Sequence, residues 1–154
     1  MSGAREIRRW RREEAVPWDL LLDADPSTEE IQRYWGRGPV WVVDTGQGVA
    51  GIVVVVETGP GTAEVMNLAV RETQRRRGYA AALLETVIAW GRERGLTHLE
   101  VGTGNSSFAA LHLYQRMGFR IVGVDPDYFI RHYPGPIMEN GLVCRDMVRL
   151  SLAL

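Results

Sequence analysis

The chain has 154 residues, 45% of them hydrophobic and 24% charged, with a formal net charge of -1. That length suits one domain spanning 1–154, which buries about 70% of its unfolded surface and needs no disulfide staples, and the lone Cys144 fits a reducing cytoplasm. Near-neutral charge argues against nucleic acid, the lack of a ~20-residue apolar run argues against a membrane span, and the first residues lack the apolar core of a signal peptide, so a cytoplasmic location is expected.

The chain opens on a basic cluster, Arg5 to Arg12, interleaved with Trp10. All its cations are arginine, as they are throughout the sequence, and an amphipathic first strand over Arg5 to Trp10 with exposed arginines explains them more cheaply than a nucleic-acid patch. Trp18 to Asp23 and Thr28 to Trp35 predict two short helices, with Ser27 capping the second and Glu30 closing a capping box. Strands follow over Val40 to Asp44 and Val49 to Glu57, joined by the turn Thr45-Gly46-Gln47-Gly48. Ile52 to Val56 is apolar on both faces, which places it centrally in a sheet covered above and below. Thr62 to Val70 reads as a fourth strand. The helix opening at Gly78 stripes Leu83, Leu84, Val87, Ile88 and Gly91 on one face and ends at Gly95. Leu99 to Gly102 is then a fifth strand, Ser107 to Met117 a helix, Phe119 to Val124 a sixth strand and Val143 to Leu154 a seventh, with Cys144 as a small residue in that last strand.

The segment Arg75-Arg76-Arg77-Gly78-Tyr79-Ala80-Ala81 joins a strand end to a helix N-terminus, where unpaired amides and the helix dipole favour an anion. Gly78 lets a ligand approach the backbone, and guanidinium forks suit phosphate oxygens. A solvated charged loop is the plainer alternative.

Arg75 to Ala80 fits the Gln/Arg-x-x-Gly-x-Gly/Ala signature of the GNAT N-acetyltransferase superfamily, which it resembles in two further blocks: Ala63 to Val70, similar to the family's fourth strand, and Ala110 to Phe119, similar to its Ala-x-x-Leu-Tyr-x-x-x-Gly-Phe helix end. The resemblance spans about residues 62 to 124. It implies an α+β, α/β sandwich-like fold: a mixed, mostly antiparallel seven-stranded sheet with about four helices and with strands four and five splayed apart. It implies acetyl-CoA as co-substrate, its pyrophosphate wrapped by the amides of Arg75 to Ala81. Leu68, Ala69 and Val70 would line the acetyl-pantetheine arm, with the Leu68 N–H holding the oxyanion and Val70 binding the pantetheine. The family's CoA-contacting asparagine falls on Ser107, while an asparagine stands two residues earlier at Asn105, and the choice between them stays open.

The resemblance also implies roles for two side chains. An alkyl amine is protonated at neutral pH and needs a base, which matches Glu64; the leaving thiolate is helped by a hydroxyl acid, which matches Tyr114. An exposed strand carboxylate and a packing aromatic are their plain alternatives, and His132 is a second candidate base. His98 and His112 lack metal-ligand spacing, so no metal is expected. A small amine is the expected acceptor, cationic given the acidic rim of Asp19, Asp23, Asp25, Glu29 and Glu30, under an aromatic loop from Pro126 to Pro136, with no nucleic-acid or membrane partner and a homodimer open. Two other readings remain. A degenerate module could bind acetyl-CoA as a non-catalytic sensor. The run Leu99 to Asn105 also resembles the glycine-rich motif of S-adenosylmethionine methyltransferases, but too few residues follow it, so Gly102 to Asn105 is read as a flexible exit from strand five.

Overall fold

Alternating apolar residues in the first half of the chain predict strands, and they pair into one sheet covered on both faces. The computed structural model describes residues 5–154. In chain order the elements are strand β1 (Glu6–Arg9), helices α1 (Trp18–Ala24) and α2 (Thr28–Tyr34), strands β2 (Val40–Asp44), β3 (Val49–Gly59) and β4 (Thr62–Val70), helix α3 (Tyr79–Glu93), strand β5 (His98–Gly104), helix α4 (Phe108–Arg116), strand β6 (Arg120–Asp125), helix α5 (Tyr128–His132), and strands β7 (Met138–Glu139), β8 (Leu142–Val143) and β9 (Met147–Ala153). The main sheet runs β1-β2-β3-β4-β5-β9-β6. Its one parallel pair among the described residues is β4 with β5, linked through α3; every other neighbour pair is antiparallel. This is the expected mixed seven-stranded sheet, with a fifth helix where a loop was expected.

β3 supplies both cores. Val53 and Val55 join Leu83, Leu84, Val87, Tyr114 and Phe119 under α3 and α4, while Ile52 and Val54 join Leu20, Leu21, Ile31 and Tyr34 under α1 and α2. Each fully buried aliphatic side chain contributes about 1.5–3 kcal/mol, which anchors the helices to opposite faces. Ser27 caps α2 by accepting the Glu30 N–H at 3.2 Å. The expected box does not close, because the Ser27 N–H goes to Asp25 Oδ1 at 3.3 Å.

Three local expectations change. Arg8 is not an exposed strand residue: its side chain is 13% exposed and holds Glu14 at 2.6 Å and Asp44 at 3.1 Å, and Arg9 lies over the Trp41 ring. The last strand begins at Met147 rather than Val143, because Asn105 Oδ1 accepts the Arg145 and Asp146 N–H groups and turns the chain there; the preceding residues form the β7-β8 hairpin. Gly102 to Gly104 is not a flexible exit but ladder, paired with Arg149, Val148 and Met147 of β9. Its glycines answer to space: a Cβ on Gly102 would lie 2.5 Å from Met147 Sδ, and one on Gly104 would lie 2.3 Å from Cys144 Sγ. That use removes the ground for reading the motif as a cofactor loop, and buried Cys144 lies in the turn before β9 rather than in a strand.

Candidate active site

The parallel ladder joins Thr62–Val65 to His98–Val101 and then stops, although both strands continue. The cause is in β4. Its pairing with β3 shifts register between Val54 and Val55, leaving Met66 as an extra residue. Such a bulge bends a strand and re-aims its side chains. Ahead of it Ala63 and Val65 face the α3 side; beyond it Leu68 and Val70 take that face, while Met66, Asn67 and Ala69 turn toward α1. The Arg71 N–H bonds back to Ala50 of β3 at 2.8 Å, so alternation along the strand sends the Val70 and Leu68 N–H groups to the opposite, unpaired edge. The splay is therefore a gap with backbone donors on one lip.

Two cavities meet there, of about 400 and 410 Å³, sharing among others Asp23, Val65, Met66, Thr103, Ser107 and Glu139. The first opens on the α1–α2 face and carries Glu64, Asp25, Glu30, Tyr128, Phe129, Tyr133 and Arg149. Glu64 is 23% exposed, with Arg149 Nη1 3.9 Å from its Oε1 and Glu100 beside it across the ladder. Burial pushes its carboxyl above the usual carboxylate range; Arg149 opposes the shift and Glu100 adds to it. A carboxylate raised in this way is better matched to taking a proton near neutral pH than an exposed one.

The second cavity opens on the α3–α4 face, lined by Leu68, Ala69, Val70, Arg75, Ala80, Ala110, Leu113 and Tyr114. Tyr114 is buried beside Phe119, its hydroxyl makes no hydrogen bond among the described residues, and burial raises its pKa, so it stays a protonated donor. At the mouth, Arg76 and Gly78 have φ of 65° and 77°. These two left-handed residues bend the loop just ahead of the α3 N-terminus, whose leading amides have no intrahelical partner. A Cβ on Gly78 would meet nothing within 4 Å, so the approach to the α3 N-terminus is open. Tyr79 is buried in the core, which leaves its backbone N–H for a ligand, with those of Ala80 and Ala81. Arg75 leans across to Asp23 of α1 at 2.7 Å; Arg77 lends its carbonyl to Arg5.

Not every sequence candidate reaches the gap. Asn105 spends its side chain on the backbone of Val143, Arg145 and Asp146 and lines neither cavity, whereas Ser107 lines both, donating to Glu139 at 2.6 Å. His132 is exposed, stacks on Tyr128 at 4.2 Å and lines neither cavity. Of the acidic rim, Asp19, paired to Arg71, and the exposed Glu29 line neither cavity; Asp23, though paired to Arg75, lines both, and Asp25 and Glu30 line the first. No group of three or more metal-ligating side chains occurs among the described residues.

Of three further participants, the sequence reading missed Asn67 and Arg149 and took Asp25 only as part of the acidic rim. Asn67, 3% exposed, donates to Leu21 O and to the Tyr34 hydroxyl at 3.0 Å each. Asp25 accepts from the Tyr34 hydroxyl at 3.2 Å and the Tyr133 hydroxyl at 2.8 Å, which straps the segment after β6 over the first cavity. Burial raises the Asp25 pKa, against the pull of those hydrogen bonds. Arg149 is the third, and its signal was legible: a charge alternating with Val148 and Leu150 on a largely apolar strand faces away from the core they occupy.

Residues 4–119 match the acetyltransferase (GNAT) family model. The chain is 44% identical over 137 residues to the uncharacterized N-acetyltransferase YvbK of Bacillus subtilis (strain 168), covering 89% of this chain and 88% of that protein. Among solved structures it is similar to the IAA acetyltransferase from Bacillus cereus ATCC 14579 (TM-score 0.93, 46% identity, covering 98% of this chain and 100% of that one). It is also similar to a GNAT family acetyltransferase from Elizabethkingia anophelis with acetyl-CoA bound (TM-score 0.94, 37% identity, 97% and 98% covered). The chain belongs to the GNAT acetyltransferase family and has its fold.

Proposed function

We propose that this GNAT acetyltransferase moves the acetyl group of acetyl-CoA directly to a primary amine, without a covalent enzyme intermediate. The observation that carries the reading is the β4–β5 gap, with a half-buried carboxylate on one side and a buried phenol on the other. Acetyl-CoA would lie in the α3–α4 cavity, its pyrophosphate at the amides of Arg77 to Ala81 and its pantetheine along Val70 and Ser107. Glu64, directly or through a water, takes one proton from the incoming ammonium, freeing the nitrogen lone pair to attack the thioester carbon. The open-edge N–H of Leu68 meets the oxyanion as it forms. When the C–S bond breaks, Tyr114 gives its proton to the departing sulfur and is reprotonated as the new amide sheds its second proton, so each turnover releases one proton.

Calorimetric titration with acetyl-CoA, followed by a free-thiol assay over a panel of amines, tests this. Tight binding with thiol release that depends on an added amine is expected. Binding with no amine-dependent release would overturn transfer in favour of a non-catalytic acetyl-CoA sensor, and no binding would overturn both.

A further inference from the structure

Arg149 is the sole cation lining the acceptor-side cavity among the described residues, amid Asp23, Asp25, Glu30, Glu64 and Glu139. Its two carboxylate neighbours stand at 3.9 Å (Glu64) and 4.0 Å (Asp125), beyond hydrogen-bond length, and its guanidinium carbon is 5.9 Å from the Tyr128 ring centre. Four surface arginines close on a carboxylate, Arg71, Arg75, Arg131 and Arg145 at 2.5, 2.7, 2.8 and 2.7 Å, while Arg33, out in solvent, stands 3.6 Å from Glu30. Arg149 alone of these six keeps its forked donors pointing into a cavity with no acceptor at bonding distance. A guanidinium cannot lose its charge, and its fork matches a carboxylate in two parallel hydrogen bonds.

We propose that the acceptor is a zwitterion of the amino-acid class, its carboxylate gripped by Arg149 and its ammonium held at Glu64. This rests on the transfer reading above and names its substrate. A molecule bearing both charges close together suits a cation and a carboxylate 3.9 Å apart, and an α-amino acid carries its ammonium and its carboxylate on a single carbon. A simple diamine would leave the Arg149 donors unpaired and set a second positive charge against them. The wall also carries Tyr128, Phe129, Tyr133 and Met147, a largely apolar surface for the amino-acid side chain.

The test compares free amino acids with their own amides and with the matching decarboxylated amines, by kcat/KM in the thiol assay and by calorimetry on the CoA complex. At least one amino acid should exceed its amide by on the order of 10- to 100-fold, the range for hydrogen bonds to a charged partner. Arg149→Gln should collapse that ratio toward one, and Arg149→Lys, which keeps the charge but not the fork, should restore it only in part. Since either change also alters the field at Glu64, the ratio rather than the absolute rate is the readout. Equal use of acid and amide by the unaltered protein, or a ratio that survives Arg149→Gln, would overturn the proposal. If an amino acid binds through Arg149 but releases no thiol, the carboxylate contact stands and the transfer reading fails.

Discussion

Replacing Glu64 with Gln removes the base while keeping its size. An alkyl ammonium of pKa ~10.4 is only about 0.04% free amine at pH 7, so an enzyme without a base must wait for that fraction. Loss of a positioned base costs ~10²- to 10⁴-fold, about 3–5 kcal/mol of barrier. The deficit should shrink about tenfold per pH unit as the amine deprotonates in solution, because the substrate then arrives ready to attack. Acetyl-CoA affinity should not change, since its cavity lies across the gap from Glu64. Stability gives an independent check on the same residue. The native state holds the Glu64 proton more tightly than the unfolded chain does, so its contribution is greatest at low pH and is lost as pH rises through the raised pKa. Glu64→Gln should therefore melt no lower than the parent at pH 7, and any advantage should vanish below the ordinary carboxylate pKa. Thiol-release rates from pH 6 to 10 alongside thermal melts read both effects. Full activity at pH 7 under conditions where chemistry limits the rate would refute the assignment of Glu64 as base.

Tyr114→Phe should lower kcat by ~10²-fold or more with no recovery at high pH, while costing little stability, because the hydroxyl has no protein partner to lose; melts and pH–rate profiles check this. Arg75→Ala breaks an ion pair that is half exposed on both sides, so stability should fall by less than about 1 kcal/mol, while acetyl-CoA affinity measured by calorimetry should fall by about 1–3 kcal/mol if the guanidinium also meets phosphate. Gly104→Ala drives a methyl into Cys144 and should cost about 1–3 kcal/mol in denaturant unfolding, with partial recovery when Cys144→Ala is added. Tyr133→Phe removes the strap to Asp25 and should cost about 1 kcal/mol and raise the acceptor KM, with faster hydrogen exchange over 126–136 as the structural readout.

Local physics wrote much of this protein into its sequence. The stripe of Leu83, Leu84, Val87 and Ile88 makes an amphipathic helix whatever it packs on, and Ile52 to Val56 can only be a strand covered on both faces. The glycine before α3 and the arginines ahead of it mark a candidate anion site, because helix-terminal amides and charge act over a few residues. What the sequence alone did not determine depends on partners far along the chain. Nothing near residue 147 says that the last strand inserts between β5 and β6, yet that insertion sets Arg149 beside Glu64. The segment 128–132 is held by distant neighbours, through the Tyr133 hydroxyl to Asp25 across 108 residues and the Phe129 N–H to the Arg145 carbonyl. Met66 is an ordinary strand residue until β3 pairs around it and makes it a bulge. Periodicity reports which face a residue presents, but a gap between two strands is a property of their pairing, and that is decided only when the whole sheet closes on both cores.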